Sequence, residues 1–459
     1  MMMKKRIIFT TLAVYQTEFW LAVALKLRDL GHPVSFISFD DCSSELIKDE
    51  GFLVLSLNWP NDSGSVSEKE IPFKKLGIQN PNLYTSHERF SFGLRSSDEI
   101  NAKFKYYFYA SFDFLVELAR NEKVVVVQEL GGFISVLSVF EAVRASGLNN
   151  IFVEPSFFKG RQFFLKNTLS AKKIKSADLD TAALENIEKV LNNTIANKKI
   201  VVPYKDRKHY SAAAAKVFNF GNAIRLFKKL INQYLFRKHY EFGYPIRHAY
   251  LHFRMMVNSL RLRHNYKSLD GLRRFIYFPL HVPGDVALTL RSPQFLDQLA
   301  LIDYLARNLP QGFDLVIKEH PAQIGALGTD PIRELLNRYD YLFLLDPTIN
   351  NFDVLGKASC VVSINSKSGA EALLFNCPVI VLGDSFYSES ELVYRLRDIS
   401  KFNELSSDVL ASKKTIPHDV VIKFFANVWA NSSPGELYSL LPDDVDNFVS
   451  SISKVVQRK

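Results

Sequence analysis

Residues 275–285 read FIYFPLHVPGD, residues 313–321 read FDLVIKEHP and residues 361–375 read VVSINSKSGAEALLF, and these three stretches decide the fold. Each begins as an apolar, β-type run and ends in a cluster of polar residues. In an open parallel sheet the carboxyl ends of the strands form the edge where ligands bind. We therefore expect the three polar clusters to line one pocket.

The third stretch predicts a strand, a turn and a helix. Residues 361–364 are mostly β-branched, and the turn that follows contains Ser366 and Ser368, which are good N-cap residues. Free backbone N–H groups at a helix start attract phosphate, and Gly369 lets an anion approach the backbone. Glu371 is placed to accept a hydrogen bond from a ribose hydroxyl. An ordinary capped helix without a ligand explains the same pattern.

The second stretch ends in Lys318, Glu319 and His320, and Pro321 stops the strand. A cation or hydrogen-bond donor at this edge can neutralise a leaving phosphate, which makes His320 a catalytic candidate. Lys318 and Glu319 are substrate-binding candidates. The alternatives are a satisfied surface histidine and an ion pair between its two neighbours.

Composition and charge bound the class of protein. The 459 residues are 47% hydrophobic, which suits two or three domains, and the three cysteines show no CxxC or metal-binding spacing. No stretch approaches the roughly 20 apolar residues of a membrane span. We therefore expect a cytoplasmic protein, soluble or peripheral on the inner face of the cytoplasmic membrane. A formal net charge of +9 favours anionic partners, but no recognised nucleic-acid-binding module is present.

The first part of the chain predicts a βαβ unit, with strands at 6–12 and 33–39 and a helix at 18–30. The loop at 13–17 lacks the GxGxxG fingerprint, so a nicotinamide or flavin dinucleotide is disfavoured. This loop is expected to face a cleft between domains. Gln16 is therefore a candidate for binding the acceptor, although a plain connecting loop is the simpler alternative.

Two further strands of the first half end in carboxylates. The apolar run 123–127 is followed by Glu129, and the run 151–153 is followed by Glu154, with Arg161 nearby. A carboxylate at the carboxyl end of a strand is well placed to enter a cleft. Glu129 and Glu154 are therefore competing candidates for one acidic role, and Arg161 is a candidate for substrate binding.

The composition shifts between residues 166 and 270. This segment predicts helices and holds many Lys and Arg residues but few acids, and residues 225–240 can form a basic amphipathic face. Such a face is compatible with an anionic membrane surface. It is equally compatible with a solvated helix or a helix between domains.

Strands and helices alternate again after residue 271, with helices predicted at 293–309 and 331–339 and a helical tail at 420–456. We predict an α/β protein of the GT-B-like class, in which two Rossmann-like domains face each other across a cleft. The predicted units are an acceptor-side domain at 1–165, a helical basic insertion at 166–270, a nucleotide-sugar-binding domain at 271–430 and a helical tail at 431–459.

The second half resembles a known family. Phe278-Pro279-Leu280 followed by Asp285, then Lys318-Glu319-His320-Pro321, then Ser366 to Gly369 with Glu371, are similar to the bacterial capsule polysaccharide biosynthesis family. Within it they resemble the retaining β-Kdo transferases. The resemblance covers roughly the last 190 residues well and the first half more weakly.

The resemblance implies a transfer of Kdo from CMP-Kdo to an anionic glycan or glycolipid acceptor of capsule or lipopolysaccharide. It implies that Asp285 is the nucleophile and Glu154 the base on the acceptor side. It also implies that His320, with Ser366 and Ser368, binds the single phosphate of the departing nucleotide, so that no metal is expected.

The sequence departs from the family at two places. His281 stands where relatives carry glutamine after Phe-Pro-Leu, and Pro155-Ser156 follow Glu154 where relatives carry other residues. Two other classes of function fit the same motifs. One is a nucleotide-activated polyol phosphotransferase of surface-polymer synthesis, which would not need Asp285 as a nucleophile. The other is a non-catalytic partner of an assembly or export complex that docks through the basic segment.

Overall fold

A computed structural model describes residues 4–59, 71, 76–78, 80–92, 97–198, 204, 220–242, 245–412 and 415–457. Its strands, in chain order, are β1 (Arg6–Thr11), β2 (Val34–Ser38), β3 (Leu53–Ser56), β4 (Val124–Glu129), β5 (Asn149–Pro155), β6 (Arg161–Lys166), β7 (Tyr266–Lys267), β8 (Phe275–Pro279), β9 (Asp314–Lys318), β10 (Leu342–Leu345), β11 (Cys360–Ser363), β12 (Val379–Val381), β13 (Tyr394–Arg395) and β14 (Ser433–Pro434).

The α-helices of the same residues are α1 (Val14–Asp29), α2 (Asp41–Asp49), α3 (Ser86–Phe92), α4 (Ser97–Ala119), α5 (Ile134–Ala145), α6 (Thr181–Ala196), α7 (Phe220–Tyr234), α8 (Pro245–Leu262), α9 (Val286–Thr289), α10 (Gln298–Arg307), α11 (Thr329–Arg338), α12 (Asn351–Leu355), α13 (Lys367–Leu373), α14 (Phe402–Ser412), α15 (His418–Ala430) and α16 (Pro442–Gln457). Short 3-10 helices lie at Pro81–Thr85, Pro293–Phe295 and Ile399–Lys401.

The strands form two seven-stranded sheets. In the first sheet the order is β14-β6-β5-β4-β1-β2-β3, and the five strands from β5 to β3 in that order are parallel, while β6 and β14 pair antiparallel. In the second sheet the order is β13-β12-β11-β8-β9-β10-β7, and every pair is parallel. The predicted α/β class with two Rossmann-like sheets is confirmed.

The order of the second sheet explains why the three decisive stretches meet. β8 is central, with β9 paired to it on one side and β11 on the other. All three strands run in the same direction, so the polar residues that follow them emerge at one edge, as predicted. The strands are buried on both faces, which is why their sequences are nearly continuous apolar runs.

The chain returns to the first sheet at its end. β14 pairs with β6, and α16 packs on α1, where Phe448 contacts the rings of Phe19 and Trp20 edge-on. The prediction of one helical tail at 420–456 is wrong, because the chain leaves the helical conformation between α15 and α16. Tyr438 (φ 65°) and Gly435 (φ 128°) adopt left-handed backbone conformations that a helix cannot contain.

Two predicted helices begin at other residues than the sequence indicated. The helix predicted at 293–309 begins only at Gln298, because the Asp297 carboxylate accepts a hydrogen bond from Ala300 N (3.0 Å) and caps it there. The helix predicted at 18–30 begins instead at Val14. Gln16 therefore lies in the first turn of α1 and not in a loop.

Candidate active site

The loop after β8 carries Asp285 at the edge of the second sheet. Gln298 holds the start of this loop, since its Oε1 accepts a hydrogen bond from His281 N (2.7 Å) and its Nε2 donates one to His281 O (3.1 Å). Asp285 caps α9, accepting a hydrogen bond from Ala287 N (2.8 Å), and its side chain is exposed. An exposed, backbone-anchored carboxylate at this edge is accessible to a ligand.

Asn365 joins this loop to the turn that follows β11. Its Nδ2 donates to Ala287 O (2.6 Å) and to Ser292 Oγ (3.1 Å), and its backbone N–H points at His281 Nε2 (3.5 Å). Burial lowers the pKa of His281 to about 4, so this imidazole is neutral at pH 7 and its Nε2 can accept the hydrogen bond. His281, where the sequence departs from the family, thus lies between the Asp285 loop and the turn that follows β11.

His320 lies at the same edge of the second sheet. It is half-buried just after β9, its Nδ1 accepts a hydrogen bond from Ala322 N (3.2 Å), and it is close enough to His281 to lower the pKa of that residue. His281 also interacts electrostatically with Asp285. The structure therefore brings Asp285 and His320 to the same edge through His281.

Glu154 reaches this edge from the other sheet. It lies at the carboxyl end of β5, and its carboxylate forms an ion pair with Arg291 (3.0 Å), a residue of the second sheet's half. The Arg291 guanidinium also donates to the carbonyl oxygens of Leu169 (2.8 Å) and Ser170 (3.3 Å). Arg291 therefore connects the predicted acceptor-side carboxylate to the half that carries Asp285.

Burial dominates the electrostatics of Glu154. It raises the pKa of this carboxyl group, while Arg291 opposes the rise and the nearby carboxylates of Asp285 and Asp384 add to it. The charge of Asp285 thus acts on Glu154, although the two carboxylates come from different sheets. A carboxylate with a raised pKa, next to a second carboxylate, has the properties of a general base.

His87 also contacts the Asp285 loop from the first half of the chain. It lies in α3, which packs on α9, and it interacts with the backbone of Gly284 and the charge of Asp285. Gly132 leaves the space for its ring, because a Cβ there would lie 2.9 Å from His87 Cβ. Burial lowers the pKa of His87 to about 4, so the ring faces Asp285 uncharged.

The turn before α13 is built as the sequence predicts, but its glycine has a packing role. The Ser366 side chain accepts a hydrogen bond from Ser368 N (3.2 Å) and caps the helix. A Cβ at Gly369 would lie 2.3 Å from the Tyr387 hydroxyl, which itself donates to Ser363 or accepts from it (3.0 Å). Close packing of Tyr387 therefore requires glycine here, whether or not an anion binds.

Lys318 and Glu371 lie beneath this turn. Asn351 Nδ2 donates to Glu371 Oε2 (2.8 Å) and to Ser368 Oγ (3.1 Å), and Lys318 Nζ donates to Ile349 O (2.5 Å). Burial raises the pKa of Glu371 and lowers that of Lys318 to about 8, and each charge partly offsets the burial of the other. The two residues form a buried support for the turn.

Gln16 and Glu129 form a separate group in the first half. Gln16 Oε1 accepts a hydrogen bond from Leu12 N (2.9 Å), and its Nε2 donates to Glu129 Oε2 (3.1 Å). Tyr438 donates its hydroxyl to the same glutamate oxygen. The prediction that Gln16 lies in an open loop is wrong, because its side chain is buried and closes the start of α1.

The Arg161 and Glu319 side chains both contact residues of the protein that lie next to them. The Arg161 guanidinium lies over the Trp429 ring (4.1 Å) and donates to Ser432 Oγ (2.8 Å), because the pairing of β6 with β14 brings these residues together. Burial lowers the pKa of Arg161 to about 10. The Glu319 carboxylate accepts hydrogen bonds from Tyr266 OH (2.7 Å) and Gly325 N (2.8 Å). Their roles in binding substrate stay predictions.

The sequence prediction missed Arg291, His87 and Asn365. Arg291 and His87 lie in irregular or short helical segments far along the chain from their partners, so no local spacing points to them. Asn365 is the first residue of the predicted turn, but no role in the site was assigned to it. Among the described residues, no group of three or more His, Cys, Asp or Glu side chains is arranged to hold a metal ion.

Comparison with known proteins supports the resemblance. Residues 183–405, just under half of the chain, match the model of a family described as capsule polysaccharide biosynthesis protein, which confirms the predicted resemblance. The protein FixF of Sinorhizobium fredii is 30% identical over 172 residues, which make up 37% of this chain and 40% of that protein. The chain therefore matches less than half the length of this relative.

Similar solved structures are more distant in sequence. KpsC of Thermosulfurimonas dismutans, a beta Kdo 2,7 transferase, is 13% identical, with a TM-score of 0.37 over 82% of this chain and 97% of that one. A glycosyltransferase from Rickettsia africae is 11% identical, with a TM-score of 0.33 over 99% of each chain.

Proposed function

Starting from the family match over residues 183–405, we propose that the protein is a retaining glycosyltransferase of surface polysaccharide synthesis. The proposed donor is CMP-Kdo, and the proposed acceptor is an anionic glycan or lipid-linked glycan of capsule or lipopolysaccharide at the inner face of the cytoplasmic membrane. One observation carries the proposal. The Asp285 carboxylate follows a strand of the second sheet and is near enough to Glu154, at the end of a strand of the first sheet, to raise the pKa of Glu154.

Retention of configuration follows from two successive displacements at the anomeric carbon. In the first, an oxygen of Asp285 forms a bond to the anomeric carbon while the bond to the phosphate oxygen breaks and CMP departs. In the second, an acceptor hydroxyl displaces Asp285 and its proton passes to Glu154. The exposed position of Asp285 and its anchoring to Ala287 N support the first step.

Glu154 suits the second step because its environment balances two effects. Burial makes the carboxyl group more basic than an exposed glutamate, and Arg291 opposes this rise in pKa and so favours the ionised form. The departure of CMP also removes negative charge from the site. We propose that His320, Ser366 and Ser368 bind the phosphate of the donor and that no metal is required.

The predicted contact between Glu371 and the ribose is less direct. The carboxylate is buried and already bound by Asn351, which also binds Ser368. We propose that Glu371 acts by fixing Ser368 in the turn. The proposed phosphate site then depends on the hydrogen bonds of Asn365 to the uncharged His281 ring and to Ala287 O. These bonds hold the turn against the Asp285 loop.

A comparison of donors distinguishes the proposed glycosyltransferase from the alternative polyol phosphotransferase. The full chain is incubated with CMP-Kdo, with another CMP-linked acidic sugar and with CDP-glycerol, and the release of CMP is measured. Selective turnover of CMP-Kdo, with a new glycosidic bond in the product, is the expected result. Turnover of CDP-glycerol with formation of a phosphodiester would contradict the proposal, and turnover of none of the three would remove its support.

A further inference from the structure

The positive charge of the chain is concentrated in one segment. Residues 220–267 contain ten Lys and Arg residues and one acid, Glu241, giving 10 − 1 = +9. The whole chain has 57 − 48 = +9, so its remaining residues carry no net formal charge. Glu241 itself is buried and paired with Lys103 (3.0 Å). The exposed charged side chains of the segment itself are therefore all basic. Two of them pair with acids of neighbouring elements, Lys238 with Glu45 (2.6 Å) and Arg261 with Asp330 (3.0 Å).

The same segment exposes an unusual number of large apolar side chains. Nine of the seventeen exposed large hydrophobic side chains in the described part of the chain lie between residues 224 and 260. In α8 they recur at spacings of four, three and seven residues, which puts them on one helical face. They are Ile246, Tyr250, Phe253 and Leu260, exposed by 61%, 59%, 51% and 55%.

The opposite face of α8 is fixed against the protein. Met256 and Leu262 are buried, and Asn258 Nδ2 donates to Gly325 O (2.9 Å) beside α11, on which α8 packs. Three arginines follow the apolar stripe at intervals of seven residues, each one position after a stripe residue: Arg247, Arg254 and Arg261. The apolar stripe thus faces solvent with a row of cations along one border.

α7, which packs on α8, and the turn after it also expose apolar side chains. Ile224, Phe227 and Tyr234 recur on one face of the helix, and Leu235 and Phe236 follow at its end with exposures of 72% and 62%. The backbone of this tip is held in place, because the N–H groups of Leu235 (2.8 Å) and Phe236 (3.2 Å) both donate to Ile231 O. Two adjacent apolar side chains are thereby presented outward on a fixed turn.

We propose that α7, α8 and the turn between residues 234 and 237 form a docking surface for an anionic lipid bilayer. The apolar side chains would enter the acyl boundary, and the bordering Lys and Arg residues would contact lipid phosphates. The excess of positive charge in the segment favours this partner over another protein surface, whose polar rim carries groups of both signs in similar number. Among the described helices, none is long and apolar enough to span a membrane.

The surface is connected to the candidate active site by aromatic contacts. Phe242, just after the segment's turn, packs on Phe133 (4.9 Å between ring centres), and Phe133 contacts His87 (4.1 Å), which faces the Asp285 loop. Docking would therefore bring the candidate active site close to the lipid. Delivery of a lipid-linked acceptor in this way rests on the proposed function, whereas the binding to lipid does not.

Vesicle flotation of the full chain tests the surface without any sugar donor. We expect binding to phosphatidylcholine vesicles with about 30% phosphatidylglycerol, little binding to pure phosphatidylcholine, and a marked loss between about 0.1 M and about 0.5 M NaCl. Leu235→Ser with Phe236→Ser removes the apolar tip, and Lys228→Glu with Arg254→Glu reverses the border. Each pair should reduce the partition coefficient at least about tenfold.

Two matched pairs serve as controls. Leu440→Ser with Leu441→Ser removes another adjacent exposed apolar pair, and Lys123→Glu with Lys166→Glu reverses two exposed cations at the opposite edge of the first sheet. Both should bind vesicles like the unmodified chain, and thermal melting should be the same for all variants. Equal binding to neutral and anionic vesicles would overturn the proposal. So would an unmodified chain that ignores vesicles but forms a dimer that the tip substitution disperses.

Discussion

The neighbouring strands β4 and β5 end in glutamates that face different environments. Glu129 is opposite Val153 in the register, so Glu129 and Glu154 lie close together along one sheet edge. Glu129 accepts hydrogen bonds from Gln16 and Tyr438, which both pack on the first sheet's side, as Glu129 does. Glu154 forms an ion pair with Arg291, which lies on the second sheet's side. The position of a carboxylate at a strand end therefore does not decide its role, whereas an ion pair with a residue of the second sheet's side distinguishes Glu154 from Glu129.

The largest effect is expected at Asp285, the proposed nucleophile. Asp285→Asn should reduce turnover of CMP-Kdo by about a thousandfold or more, because an amide cannot act as the nucleophile. The side chain is exposed, and asparagine also caps helices, so the thermal midpoint should change little. Asp340→Asn, at the amino end of β10, is the matched control and should retain full turnover. Normal turnover by the Asp285 variant would refute its assigned role.

Glu154→Gln should have the next largest effect. Transfer to an acceptor should fall by about a hundredfold to a thousandfold, because the proposed base for the acceptor proton is lost. The first displacement does not need this base, so one CMP per protein molecule should still be released rapidly. Single-turnover measurement of CMP release separates the two steps. If the rapid release of CMP is lost together with transfer, Glu154 acts in the first displacement, and its proposed role as the base for the acceptor is wrong.

Arg291→Met should change the pH dependence of the transfer rate more than it changes the maximum transfer rate. Arg291 lowers the pKa of Glu154, so its removal should raise that pKa further. A base must be ionised to act, and the acidic limb of the transfer rate should therefore shift to higher pH. The pH profile of the rate is the measurement, with Arg274→Met, which lies over Phe313, as the control. An unchanged acidic limb would show that the ion pair does not tune the base.

Glu129→Gln should have the smallest effect on activity. Glutamine keeps an acceptor for the Tyr438 hydroxyl and for Gln16, so transfer should change less than about threefold and the free energy of unfolding by about 1 kcal/mol. Denaturant unfolding and steady-state kinetics measure the two quantities. A loss of transfer comparable to that of Glu154→Gln would erase the distinction between the two strand ends.

Much of the second sheet could be predicted from the sequence because its buried parallel strands are continuous apolar runs. Their common direction also predicts that residues after β8, β9 and β11 meet. The partner of Glu154 could not be predicted, because Arg291 lies 137 residues further along the chain and in no regular pattern with it. Arg161 was the nearer cation in sequence, but the pairing of β6 with β14 draws it to Trp429.

The most direct test of the central claim is the intact mass of the protein after incubation with CMP-Kdo. We predict an adduct of one Kdo residue that accumulates in Glu154→Gln, is weak or transient in the unmodified chain and is absent from Asp285→Asn. Peptide mapping should locate it at Asp285. Turnover of CMP-Kdo without an adduct in any of these proteins, or an adduct that persists in Asp285→Asn, would contradict the assignment of Asp285 as the nucleophile.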